Sequence, residues 1–151
     1  MAHPSPSDTA LRDELLDKLV GTWRISRKFP SREVENEATV TWELVHHYIR
    51  IVMTDVVSPP MYEAHVYIGY ERALSRYVVH WMDVTSGSMP ELLGYGARDG
   101  NAIVFEWKDG DGTLRNTFTW NPDEDSWTSD IRQTGPDGEW RTFCVDTYRR
   151  R

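Results

Sequence analysis

The feature that most constrains this chain is a two-residue period that begins at Trp23 and persists to its end. Trp23, Ile25 and Phe29 alternate with Thr22, Arg24, Ser26 and Lys28. Val34, Ala38, Val40, Trp42 and Leu44 then alternate with Glu33, Glu35, Glu37, Thr39, Thr41 and Glu43. Successive side chains of an extended strand leave on opposite faces, so each run has one apolar face and one wet face. Further runs lie near 48–57, 62–70, 76–85, 91–97, 102–108, 113–120, 126–133 and 139–149. Turn formers separate them: Ser58-Pro59-Pro60, Ser86-Gly87, Asp99-Gly100, Asp109-Gly110-Asp111-Gly112, Asn121-Pro122-Asp123 and Gly135-Pro136-Asp137-Gly138. Strands joined by short links are antiparallel neighbours in sequence order. An open meander of this length leaves two long edges, and closure removes both. The expectation is an all-β fold, a closed antiparallel up-and-down barrel of about ten strands. A sandwich would need long crossovers that the pattern lacks.

Before Trp23 the period is different. Leu11, Leu15, Leu16 and Leu19 fall on one helical stripe, with Arg12, Asp13, Glu14, Asp17 and Lys18 opposite. This predicts a helix over 9–19, capped by Ser7 or Asp8 and stopped at Gly21, whose leucines cap one end of the barrel. Residues 1–7, with Pro4 and Pro6, read as a disordered lead, and 8–151 as a single barrel domain. The net charge of -7 argues against nucleic acid, and Arg149-Arg150-Arg151 reads as a solvated end. Cys144 is the only cysteine, so no internal disulfide forms. No apolar run approaches the ~18 residues of a membrane span. With no signal-peptide pattern at the start, a cytoplasmic protein of bacterial style is expected.

The stretch Val20-Gly21-Thr22-Trp23-Arg24-Ile25-Ser26 resembles the Gly-x-Trp opening of the calycins, the lipocalins, fatty-acid-binding proteins and their bacterial relatives. The resemblance implies that Trp23 sits in the barrel base with a basic residue of the last strand across its indole. Arg149 or Arg150 would take that place, Arg149 being the first choice. The end of the chain is similar to the last strand of fatty-acid-binding proteins, with Cys144 and Tyr148 matching. Asp146 stands where those proteins grip a fatty-acid carboxylate with arginine, which argues against a fatty acid. Pro30-Ser31-Arg32 is also too short for their helical lid. The layout is more similar to bacterial lipocalin-like proteins of unassigned function. The glycine-rich motif of the haem-binding nitrobindins is replaced by Arg24-Ile25-Ser26-Arg27, so no cofactor is implied.

Chemistry would sit in the stretch from Met61 to Asp83, which reads as a hairpin turning near Ala73-Leu74. Pairing Tyr70 with Tyr77 and Tyr67 with His80 puts Glu63, His65, Tyr67, His80 and Met82 on one face. Tyr62, Ala64, Val66, Ile68, Tyr77, Val79, Trp81 and Asp83 fall on the other. With the apolar face inward, the barrel holds aromatics and one carboxylate. With the other inward, it holds a Glu-His-Tyr-His group suited to proton transfer. Apolar burial favours the first. His46 and His47 are adjacent and face opposite ways, and no local metal signature exists, so no metal is expected.

The first functional reading is therefore binding of a small apolar, aromatic or polycyclic molecule inside the barrel. Trp42, Tyr62, Val66, Trp81, Tyr95, Trp107, Trp120 and Asp146 are its expected lining. The second is an enzyme of cyclase, isomerase or hydro-lyase type using His65, His80, Asp83 and Tyr67 in the same cavity. The third is a homodimer-forming interaction module using Met82 and Val78.

Overall fold

The computed structural model describes residues 3–85 and 93–151. The expected turn at Ser86-Gly87 and the start of the run from Glu91 lie outside them. Ten strands close into one antiparallel barrel: β1 (Gly21–Phe29), β2 (Arg32–Glu43), β3 (Tyr48–Asp55), β4 (Glu63–Glu71), β5 (Arg76–Asp83), β6 (Leu93–Asp99), β7 (Ala102–Asp109), β8 (Gly112–Asn121), β9 (Ser126–Thr134) and β10 (Trp140–Arg150). Each strand pairs with its sequence neighbours, and β1 pairs with β10 from Trp23↔Arg150 to Lys28↔Val145. This is the up-and-down barrel expected from the period. Parity is kept around it: Trp23, Ile25, Val40, Ile51, Val66, Val79, Ile103, Phe105, Phe118 and Tyr148 all point inward and are buried.

The 61–83 hairpin has the expected register, with Tyr70 opposite Tyr77 and Tyr67 opposite His80. Its turn is a 3-10 turn over Arg72–Leu74 closed by Ser75 in the left-handed region, longer than the two-residue link expected. Ala64, Val66, Ile68, Tyr77 and Val79 face the core, so the apolar face is the inner one.

The N-terminal segment departs from expectation. Only Glu14–Asp17 is helical (α1), and Asp13, not Ser7 or Asp8, caps it by accepting from the Leu16 N–H. Asp8 instead closes a turn with Ser5. Residues 9–11 are held in non-helical form by bonds to barrel loops. Arg72 donates to the carbonyls of Thr9 and Ala10, and the Leu11 N–H donates to the His46 carbonyl. Those bonds compete with a helical turn for the same groups. Leu15, Leu16 and Leu19 still enter the core and close one end of the barrel.

Gly21 is not a helix stop. It is the first residue of β1, at φ +138, and a Cβ there would lie 2.6 Å from Arg150 Nη1. The Arg150 guanidinium occupies that space. It donates to the carbonyls of Val20 and Lys18 at 2.8 Å each and lies 4.1 Å from the Trp23 ring centroid. The covering cation is therefore Arg150. Arg149 pairs with Arg24 on the outer surface, because residues one apart on a strand leave on opposite faces.

Candidate functional site

The two ends of the barrel interior differ. At the end under α1, Leu16, Leu19, Trp23 and Trp127 have no solvent exposure. The Trp23 indole donates to the Leu19 carbonyl, and Tyr77 donates its hydroxyl to Asp13. Trp42 and Trp120, expected to line a ligand cavity, belong to this closed end. Trp42 donates to Asp17 and stacks on His46, and Trp120 packs at a tilt on Trp127. Their side chains are consumed in sealing the base.

At the opposite end, the inward-facing Tyr62, Trp81, Asp83, Leu114 and Gln133 are only half-buried. Trp107 and Val66, paired with Leu114 and Trp81, lie on the same interior and are buried. The rim carries exposed apolar side chains: Val56, Val57 and Met61 between β3 and β4, Val84 after β5, Leu93 at the start of β6, and Phe143.

One wall of this open half is polar. Asp146 on β10 faces Arg27 on β1 in direct register, and Arg27 Nε donates to Asp146 Oδ1 at 2.9 Å. Both are buried, at 4% and 0% exposure. Cys144 Sγ donates to the same oxygen. On either side the belt continues through buried groups. Ser129 donates to Asn116, and Asn36 donates through Nδ2 to Asp55. Asp146 Oδ2 and Asn36 Oδ1 are buried without a hydrogen-bond partner.

The facing wall is aromatic. Tyr62 donates to Asp83 Oδ2 at 3.1 Å and Trp81 Nε1 donates to the same oxygen. The Tyr62 ring lies 5.0 Å from the Arg27 guanidinium, and the Phe29 ring 5.4 Å. The Trp107 indole fills the space that a side chain at Gly94 would take, and its Nε1 is buried without a partner.

Burial sets the electrostatics here. It pushes the Tyr62 phenol up to about 12, against the pull of Arg27. It lifts Asp146 above the usual carboxylate range, with Arg27 acting the other way. The Cys144 thiol is also driven up by burial and by Asp146, which makes it a poor nucleophile.

His65, Tyr67 and His80 lie on the outer face of β4 and β5, away from this interior. His65 contacts Glu63 at 3.3 Å and Arg50 at 3.3 Å. The parity that buries Val66 and Val79 forces these three outward. Of the proton-transfer candidates only Asp83 reaches the inside. Tyr95 is also outside, 37% exposed under the Arg76 guanidinium, since the inward positions beside it are Gly94 and Gly96. Among the described residues, no group of three His, Cys, Asp or Glu side chains is arranged to hold a metal ion. No helix there is long and apolar enough to cross a membrane.

Arg27, Asn36, Asn116 and Ser129 were not anticipated. A signal for them exists: Arg27 is in phase with Trp23, Ile25 and Phe29, and Asn36 with Ala38 and Val40. A polar residue on the buried parity is the informative exception in an apolar run.

Residues 10–150 match the model of a family described as "Protein of unknown function (DUF1579)". The chain belongs to that family. No curated protein matches it. Among solved structures, it is similar to the crystal structure of Rv2717c from M. tuberculosis. The TM-score is 0.54 at 13% identity, covering 90% of this chain and 94% of the other. At that identity the likeness supports the barrel fold alone.

Proposed function

We propose that this member of the family binds a small, largely apolar, planar molecule in the open half of the barrel, entering through the end opposite α1. One observation carries the reading. The interior is sealed at one end, yet at the other the inward-facing Tyr62 and Trp81 are only half-buried. Trp81 and Trp107 would stack on the ligand, and Val66, opposite Trp81, would line the same wall. Asp146 would belong to the polar wall. The exposed apolar rim gives an apolar solute a path inward with little desolvation of charge. We further read the barrel as calycin-like, supported by Gly21, Trp23 and the Arg150 guanidinium across the indole.

A neutral polarity-sensitive dye, Nile red, tests the reading. Saturable one-to-one binding with quenched tryptophan emission is expected, weakened about tenfold by Trp81→Ala, as loss of one stacking face costs on the order of 1.4 kcal/mol. Absence of saturable uptake, or uptake indifferent to Trp81→Ala, refutes it. The enzymatic alternative gains no support from the geometry, because His65, His80 and Tyr67 face away from the barrel interior.

A further inference from the structure

We infer that the open half of the barrel selects neutral planar molecules that donate a hydrogen bond, phenols and hydroxylated fused-ring aromatics above all, and turns carboxylates away. The inference rests on the binding reading above and names the chemistry of its ligand.

The charge balance comes first. Among the described residues Arg27 is the only cation in the polar belt, and Asp146 already takes it at 2.9 Å, both side chains being buried. Asp83 and Asp55 add two more carboxylates on the inward parity of β5 and β3. A carboxylate ligand would enter a region whose one described cation is already paired with Asp146 and whose other charged groups on the inward parity are carboxylates. An ammonium ligand would be held beside Arg27. A neutral molecule meets neither penalty.

The hydrogen-bond balance comes second. Asp146 Oδ2 and Asn36 Oδ1 are both acceptors, both buried, and both short of a donor. The Asn36 assignment follows from its neighbour: the amide nitrogen must face Asp55 Oδ1, which leaves the oxygen unpaired. A buried acceptor without a donor is destabilising, so a ligand hydroxyl that reaches it gains a bond the protein leaves unmade. Trp107 Nε1 on β7, five strands round the barrel from Asn36, is a donor lacking an acceptor. A hydroxyl can serve either kind of group.

The third observation is a side chain of the protein itself. Tyr62 shows how a phenol sits here: ring over the Arg27 guanidinium, hydroxyl donated to Asp83, indole N–H of Trp81 on the same oxygen. With Phe29 it covers Arg27 on the side of the open end. A planar phenol can take up the same contacts when the Tyr62 ring turns aside.

Three probes of one shape decide the matter on the full-length protein at pH 7: 2-naphthol, naphthalene and 2-naphthoate, followed by tryptophan quenching and calorimetry. The naphthol is expected to bind about tenfold more tightly than naphthalene, and naphthoate about tenfold more weakly than naphthalene. Tyr62→Phe removes the internal competitor for Asp83. It should strengthen naphthol binding about threefold while leaving naphthalene within about twofold. Naphthoate binding as tightly as naphthol would overturn the inference, as would an equal change for naphthol and naphthalene in Tyr62→Phe. Equal affinity for all three overturns the selectivity and leaves the binding reading standing. Failure of all three to bind, with Nile red also excluded, overturns both.

Discussion

Replacing Arg27 by Met tests whether the interior polar wall is as dry as its geometry indicates. The variant keeps a side chain of similar length and leaves Asp146, at 0% exposure, with the Cys144 thiol as its one side-chain donor among the described residues. Breaking a buried pair by removing one partner is destabilising by about 3–5 kcal/mol. For a domain of this size each kcal/mol lowers Tm by about 2–4 °C, so the expected fall is about 6–20 °C. Asp146→Leu alone should be of similar size, because it strands the guanidinium. The double variant Arg27→Met/Asp146→Leu removes both charges and should recover most of the loss. Urea unfolding followed by circular dichroism measures all four species.

The pH dependence has a definite sign. Burial already lifts Asp146 above the usual range, and losing Arg27 lifts it further. A carboxyl that holds its proton more tightly when folded contributes stability fully below its unfolded value near 4. That stability is lost as pH rises through the folded value. The Arg27→Met penalty should therefore be smaller at pH 5 than at pH 8. A penalty below about 1 kcal/mol at pH 8, or a double variant costing the sum of the singles, would refute the buried-pair argument.

Two further outcomes follow from the geometry of the barrel. Arg150→Ala loses two 2.8 Å bonds to carbonyls and the contact on Trp23, an expected destabilisation of about 2 kcal/mol by urea midpoint. Arg149→Ala on the outer face should stay within about 0.5 kcal/mol, so equal effects would remove Arg150 from its closing role. The Tyr62 phenol, pushed up to about 12, holds its proton longer in the folded chain than an unfolded tyrosine near 10. Its contribution is intact below pH ~10 and lost between ~10 and ~12. Tyr62→Phe should flatten that alkaline loss by about 1 kcal/mol after allowance for solvent screening, and an unchanged alkaline limb would contradict the burial assigned to Tyr62.

The pairing Tyr67↔His80 shows how far local pattern reaches. Strand period and hairpin length together predict the register, and the observed ladder agrees residue by residue. The same pattern offers two faces without saying which is inner. Burial of Val66, Ile68 and Val79 decides it, and that decision removes His65, Tyr67 and His80 from the interior. The helix over 9–19 fails for a related reason. Its leucine stripe is real, and Leu15, Leu16 and Leu19 are buried, but Arg72 and His46 bind the backbone of residues 9–11 from loops that no local window contains.

Alternation along the chain is a property of each strand by itself, so the ten-stranded meander, its closure and most of its core were legible from residue order. The polar wall was not. Arg27 and Asp146 are separated by 119 positions and become neighbours only because β1 and β10 meet to close the barrel. Asn36 and Ser129 sit on β2 and β9, the sequence neighbours of β1 and β10, and join one wall only once those two end strands meet. Residue order sets which side of each strand is wet, whereas a buried charge survives only where another strand supplies its counterpart. That meeting exists nowhere but in the closed barrel.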